Sequence, residues 1–178
     1  MTRPSSIRST VLCALCAALM AICAWISIPF FDIAFTMQTF AIFLALGLLG
    51  GKLGKVAYAR VRNVHAGASA GWLPPHFFDK EQCGGGAMID LGAHGMYLLN
   101  WLMGDPVKCT SVFTNCLCDS VEDNCVTVFS YKNGAIGVSE TGFVTGRNPF
   151  ELEIAGTNGT ILAGGVFDKL CNVPEGLE

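Results

Sequence analysis

Between residues 9 and 51 the chain carries one charge, that of Asp32. A stretch so poor in charge cannot make an ordinary water-facing surface, so this part of the chain is committed to a buried or membrane environment. Residues 11–28 read VLCALCAALMAICAWISI. As a helix rising about 1.5 Å per residue they would span ~27 Å, close to the roughly 30 Å hydrocarbon core of a bilayer. Pro29 stops that run, and residues 33–49, IAFTMQTFAIFLALGLL, make a second one, closed by Gly50 and Gly51. The expectation is a hydrophobic, transmembrane helical hairpin over residues 11–49.

The flanks fit that expectation. Arg3 and Arg8 precede the hairpin and Lys52, Lys55, Arg60 and Arg62 follow it. By the positive-inside rule both ends face the cytoplasm, so the rest of the chain is expected there, anchored to the membrane. Thr36, Gln38 and Thr39 would act as polar packing contacts between helices. A signal-peptide core is disfavoured, because no A-x-A-like cleavage site follows the first run. A hairpin buried in a soluble fold is the alternative, and it would make the whole chain cytoplasmic.

The remainder has a different texture. Only 14% of the 178 residues are charged, against roughly 25% in soluble domains, and most of those charges lie beyond residue 51. A formal net charge of -3 and 52% hydrophobic residues exclude a disordered chain and a nucleic-acid-binding surface. The nine cysteines are odd in number and irregularly spaced. Cys13 and Cys16 form a CxxC inside an apolar run, and Cys116 and Cys118 stand too close for a zinc-ribbon pair. Reduced, structural thiols are expected, with no metal site and no disulfide framework.

Residues 55–65 are rich in β-formers and read as a strand. A loop follows, then GGGAMIDLGAH at 84–94 and LLNWLMG at 98–104. Met88, Ile89, Leu91, Leu98, Leu99 and Leu102 recur at a helical period, and Gly104 with Pro106 closes the helix. Strands are expected over 109–116, 125–131, 135–141, 150–155 and 160–163. Asn133-Gly134 marks one hairpin turn and the GTNG of residues 156–159 another. The fold class is α+β: a mostly antiparallel sheet with a helix packed on one face, preceded by the hydrophobic hairpin.

Asp90 and His94 are four residues apart on the expected helix and share a face. A carboxylate beside an imidazole can orient it and raise its proton affinity, which suits a general acid/base. A polar helix face with an ordinary salt link is the plainer reading. Gly84, Gly85 and Gly86 would let backbone approach a ligand near the helix start.

Residues 14–54 resemble the start of the BioY-type biotin-transporter family, through ISIP (26–29), FTMQTF (35–40) and GKLG (51–54). Members are six-helix membrane proteins, so this resemblance implies a truncated substrate-binding component. Residues 54–165 resemble the C-terminal domain of the Gfo/Idh/MocA oxidoreductases. The matching words are GGGAMIDLGAH, LLNWLMG, VEDN (121–124), NGAIG (133–137) and ELEIAGT (151–157). That resemblance implies a sugar or polyol substrate, NAD or NADP as family cofactor, and oligomerisation through the sheet. It implies His94 as catalytic acid/base with Asp90 assisting. Gly85, Gly86, His65 and Trp72 would line the substrate.

The departures carry their own expectations. No G-x-G-x-x-G follows a strand, and Ile89 stands where the Gly84 cluster would need its third glycine. The family's catalytic lysine word is missing, and the matching domain is expected to be truncated after Gly165. The chain alone is therefore expected to bind no nicotinamide cofactor and to be inactive alone. Two parts are expected, 1–53 and 54–178. Because the words of the two families meet at Gly54, a non-functional fusion of two gene fragments is a further reading.

Overall fold

The computed structural model describes residues 7–24, 27–30, 33–36, 51, 53–146 and 150–164. The chain divides into two compact units, Met1–Lys55 and Val56–Glu178.

In the first unit helix α1 spans Ile7–Ala24, and strands β1 (Ser27–Phe30) and β2 (Ile33–Thr36) pair antiparallel. This corrects the expected pair of helices over its middle section. The residues around Pro29, expected to end one helix and begin another, form a β-hairpin in which Ile28 pairs with Phe35 and Phe30 with Ile33. The physical reason is local. Proline offers no amide to a helix, and β-branched and aromatic residues at alternate positions favour an extended chain. Residues 37–49 of the expected second helix lie outside the described residues. None of the described helices is long and apolar enough to cross a membrane. Along α1, Ile7, Val11, Leu15 and Ile22 are exposed, whereas Cys16 and Cys23 are buried.

The second unit is built on a six-stranded sheet. Strands β3 (Val56–Val64), β4 (Lys108–Thr114), β5 (Asn124–Ser130), β6 (Ile136–Gly142), β7 (Phe150–Gly156) and β8 (Gly159–Gly164) lie in the order β4-β5-β6-β3-β7-β8. Every neighbouring pair is antiparallel except β3 and β6, which run parallel with Tyr58 opposite Ile136. The sheet is thus mixed, and mostly antiparallel. The β5–β6 turn closes on Gly134, whose φ of 83° is open to glycine and whose amide donates to the Tyr131 carbonyl at 3.0 Å.

Between β3 and β4 the chain makes a 3-10 turn (Pro75–Phe78), a single helical turn α2 (Lys80–Cys83), a π-turn (Met88–Gly92) and helix α3 (Ala93–Met103). α3 packs on the sheet through Leu98 and Leu99. Gly95 lets it approach Ser139 and Val61, and Ala59, Val61, Leu152 and Ile154 complete that buried layer. Ile89, expected on the apolar face, is exposed, because the wider π-turn re-phases the helix entrance relative to α3. On the opposite sheet face Arg60 bridges Glu140 and Glu151 (3.3 and 2.7 Å), and Arg62 also reaches Glu140 (3.1 Å). Val126, Val128, Ile136 and Leu162 are exposed.

Candidate functional site

The end of β3 delivers His65. Its amide donates to the Gly142 carbonyl (2.9 Å), which ties it to the end of β6. Its ring stacks on Phe143 with centroids 4.9 Å apart and planes within 7°, and Trp72 tilts against it at 4.8 Å. Nδ1 accepts the Gly67 amide at 3.1 Å, so the neutral ring carries its proton on Nε2. Phe143 is fully buried and shares a cluster with Leu73 and Ala87, on which Leu91 packs. Trp72 remains largely exposed.

The π-turn delivers Asp90. A long hydrogen bond from Asn63 Nδ2 to the Leu91 carbonyl (3.5 Å) joins this turn to β3. Burial lowers the proton affinity of His65, and the charge of Asp90 partly restores it. Among the described residues no hydrogen bond or ion pair joins Asp90 to His94. His94 is exposed on α3, edge-on to Tyr97 at 5.8 Å.

The sequence-predicted residues thus fall into three places. His65 and Trp72 come together, and the charge of Asp90 on the π-turn reaches His65. His94 is exposed on α3. Gly85 and Gly86 are occupied by the protein itself: a Cβ on Gly86 would overlap the Glu122 carbonyl oxygen, and one on Gly85 would press on Ile89. Two residues were missed by sequence reasoning. Glu122 accepts the amides of Gly86 and Met88 on one carboxylate oxygen, each at 3.0 Å. Asp123, wholly buried, accepts the amides of Cys116, Leu117 and Cys118 (2.8, 2.6 and 3.0 Å). Their signal was an adjacent pair of carboxylates at the start of an apolar strand, where a charge needs a partner.

Burial pushes the Asp123 carboxyl up, but the three amides outweigh it and hold it below the usual carboxylate range. Burial, with the charge of Asp123 beside it, pushes the Cys118 thiol up to about 11, so it stays protonated and unreactive. Among the described residues no cluster of three or more His, Cys, Asp or Glu could hold a metal ion.

The entrance to the π-turn does not fit the pyrophosphate of a nicotinamide cofactor. Pyrophosphate binding needs free amides at a helix start that follows a strand, with no negative charge in place. Here the amides leading into the π-turn and α3 already hold the Glu122 carboxylate, and Gly86 is closed against the backbone of Glu122.

The BioY family matches residues 1–72 and the GFO/IDH/MocA C-terminal domain matches residues 48–162, so the two overlap from 48 to 72. The biotin transporter BioY of Thermotoga maritima is 36% identical over 97 residues, which is 54% of this chain and 53% of that protein. Among solved structures, GenD2 from gentamicin A biosynthesis, in complex with NAD, is 28% identical with a TM-score of 0.56, over 64% of this chain and 33% of its own. An NAD binding oxidoreductase from Klebsiella pneumoniae shares the fold at a TM-score of 0.62 and 24% identity, over 70% of this chain and 37% of its own. The chain thus spans about half of that curated relative and about a third of each of these structures. On the match over residues 48–162, the chain belongs to the GFO/IDH/MocA oxidoreductase family, through its C-terminal domain.

Proposed function

We propose that residues 56–178 serve as the substrate-side domain of an NAD(P)-dependent sugar or polyol oxidoreductase, and that hydride chemistry requires a nucleotide-binding domain beyond these residues. The observation that carries this reading is the His65 platform: an imidazole held by the Gly67 amide, Phe143 and Trp72, with the charge of Asp90 upon it. The exposed Trp72 ring offers an apolar face to the C–H side of a sugar. The Nε2–H of His65 donates to a hydroxyl oxygen. Asp90 accepts from a second hydroxyl and steadies His65 when it is charged. His94, exposed on α3, exchanges a proton with the substrate hydroxyl that reacts. The sheet face bearing Val126, Val128, Ile136 and Leu162 would pair with a second copy.

The first unit supports a second assignment. The BioY match and the exposed apolar stripe of α1 favour membrane association of the N-terminal segment, with the second unit on the cytoplasmic side. The overlap of the two family matches at 48–72 also favours a fusion origin. Long sequencing reads of the source DNA across codons 45 to 60 would test it.

The substrate reading is tested by titrating the chain with neutral sugars and polyols and following Trp72 fluorescence, with Trp72→Ala as the control. Saturable quenching with a dissociation constant below about 10 mM, roughly 2.7 kcal/mol, is expected. No saturable response from any compound would overturn the reading.

A further inference from the structure

Three successive amides at the entrance to the π-turn depend on one residue. Those of Gly86 and Met88 donate to Oε1 of Glu122, each at 3.0 Å, and the amide of Ala87 between them donates to the Glu122 carbonyl at 2.9 Å. Glu122 is itself fixed, because its neighbours Val121 and Asp123 are both buried. Asp123 donates its amide to the Thr114 carbonyl (3.1 Å) and accepts the amide of Phe143 on its carbonyl (2.8 Å). The ring of Phe143 is the one on which His65 stacks. One dipeptide therefore grips two things at once: the turn that carries Asp90 and the residue that supports His65.

A simple helix cap needs none of this. A carboxylate satisfying one or two orphan amides would stabilise α3 wherever the helix lay on the sheet. Here both halves of the grip end at the same pair of side chains. The π-turn is the one stretch between Gly86 and α3 that departs from α-geometry, so its phase decides where the Asp90 carboxylate points.

We infer that Glu122 is the positioning residue of the candidate site, holding the π-turn that carries Asp90 against the end of β3, where His65 stands. This rests on the Asp90–His65 pair being the working site. Its test is independent of ligand, so absence of sugar binding and failure of the positioning role would be read separately.

The experiment uses the full chain, detergent-solubilised, with the three histidines assigned by NMR and followed through a pH titration. Asp90→Asn supplies the reference, and the His65 midpoint falls when the Asp90 charge is removed. Glu122→Ala is expected to lower the His65 midpoint by about the same shift as Asp90→Asn. Glu122→Gln keeps an oxygen for both amides and is expected to retain the unmodified chain's midpoint. A folded Glu122→Ala with an unchanged His65 midpoint would overturn the inference. So would Glu122→Gln shifting as far as Glu122→Ala, since loss of the Glu122 charge would then account for the effect. If Glu122→Ala does not fold, hydrogen exchange in the unmodified chain decides: the Gly86 and Met88 amides are expected to be protected together, and exchange of either at the rate of an open peptide would reject the clamp.

Discussion

Gly86 passes so close to Glu122 that a Cβ built on it would overlap the Glu122 carbonyl oxygen. The neighbouring Gly84 is the opposite case. Its φ is 77°, and nothing lies within 4 Å of where its Cβ would be. Two glycines two residues apart are therefore required for different reasons, one for contact and one for backbone conformation. Gly84→Ala is expected to cost about 1–2 kcal/mol from the left-handed conformation. Gly86→Ala should cost more, about 3 kcal/mol, because backbone must move and three amide hydrogen bonds are disturbed. Urea unfolding of both variants checks the order. Equal costs would mean that the close approach is not real.

Asp123 makes a prediction about acid. Its carboxylate is buried, yet the amides of Cys116, Leu117 and Cys118 hold its proton affinity below the usual carboxylate range. A carboxyl whose folded value is depressed contributes stability that is present above its unfolded value, about 3.9, and lost as the pH falls through the folded value. Unfolding free energy should therefore decline below about pH 4. In Asp123→Ala the neutral-pH stability should fall by about 3 kcal/mol, since the buried Cys118 amide and the part-buried amides of Cys116 and Leu117 lose their acceptor. The decline below pH 4 should flatten at the same time. Denaturant titrations at pH 7 and pH 3 on both proteins measure this, and an unchanged acid slope in the variant would contradict it.

What could be read in the sequence was what depends on near neighbours. The strands β5 and β6 were legible because apolar residues alternate and Asn133-Gly134 fits a turn that needs a positive φ. The helix carrying Leu98 and Leu99 was legible from its period and its closing Gly104. The parallel pairing of β3 with β6 was not, since nothing local to either strand encodes a partner some eighty residues away. The spacing of Asp90 and His94 was visible because both lie on one stretch of helix. That the charge of Asp90 also reaches His65 was not, since β3 brings His65 back from 25 residues upstream. Around Pro29 the apolar run was ambiguous in kind, because short apolar stretches suit a helix or a strand equally well. The β-hairpin of β1 and β2 shows which alternative the β-branched and aromatic residues favoured.

The proposed membrane association can be tested with the chain's own thiols. Cys109 and Cys116 are exposed and Cys83 is half-buried, so all three are open to reagent once it reaches them. If the second unit lies on the cytoplasmic side, a membrane-impermeant maleimide added to intact cells should label none of these, nor Cys171. Cys171 lies outside the described residues. After permeabilisation Cys109 and Cys116 should label first. Strong labelling of any of them in intact cells would reject the topology, and recovery of the chain from the soluble fraction would reject the membrane association itself.

The last prediction concerns the cofactor of the family. GenD2 holds NAD in its solved structure, and this chain matches only about a third of it. A nucleotide pyrophosphate is bound where backbone amides at a helix start are free and the local field is positive. In this chain the amides of Gly86 and Met88 face the Glu122 carboxylate, so an incoming diphosphate would meet a negative charge already hydrogen-bonded in its place. Displacing that carboxylate would leave it beside the phosphate, and the two like charges would repel. The 178-residue chain is therefore expected to show no saturable binding of NAD or NADP by calorimetry. A dissociation constant below about 100 μM, roughly 5.5 kcal/mol, would show that a nucleotide site exists in these residues and that Glu122 does not block it. Removing the carboxylate alone, as in Glu122→Gln, should not create binding, because Gly86 stays closed against the Glu122 carbonyl and no glycine turn leads from a strand into the helix.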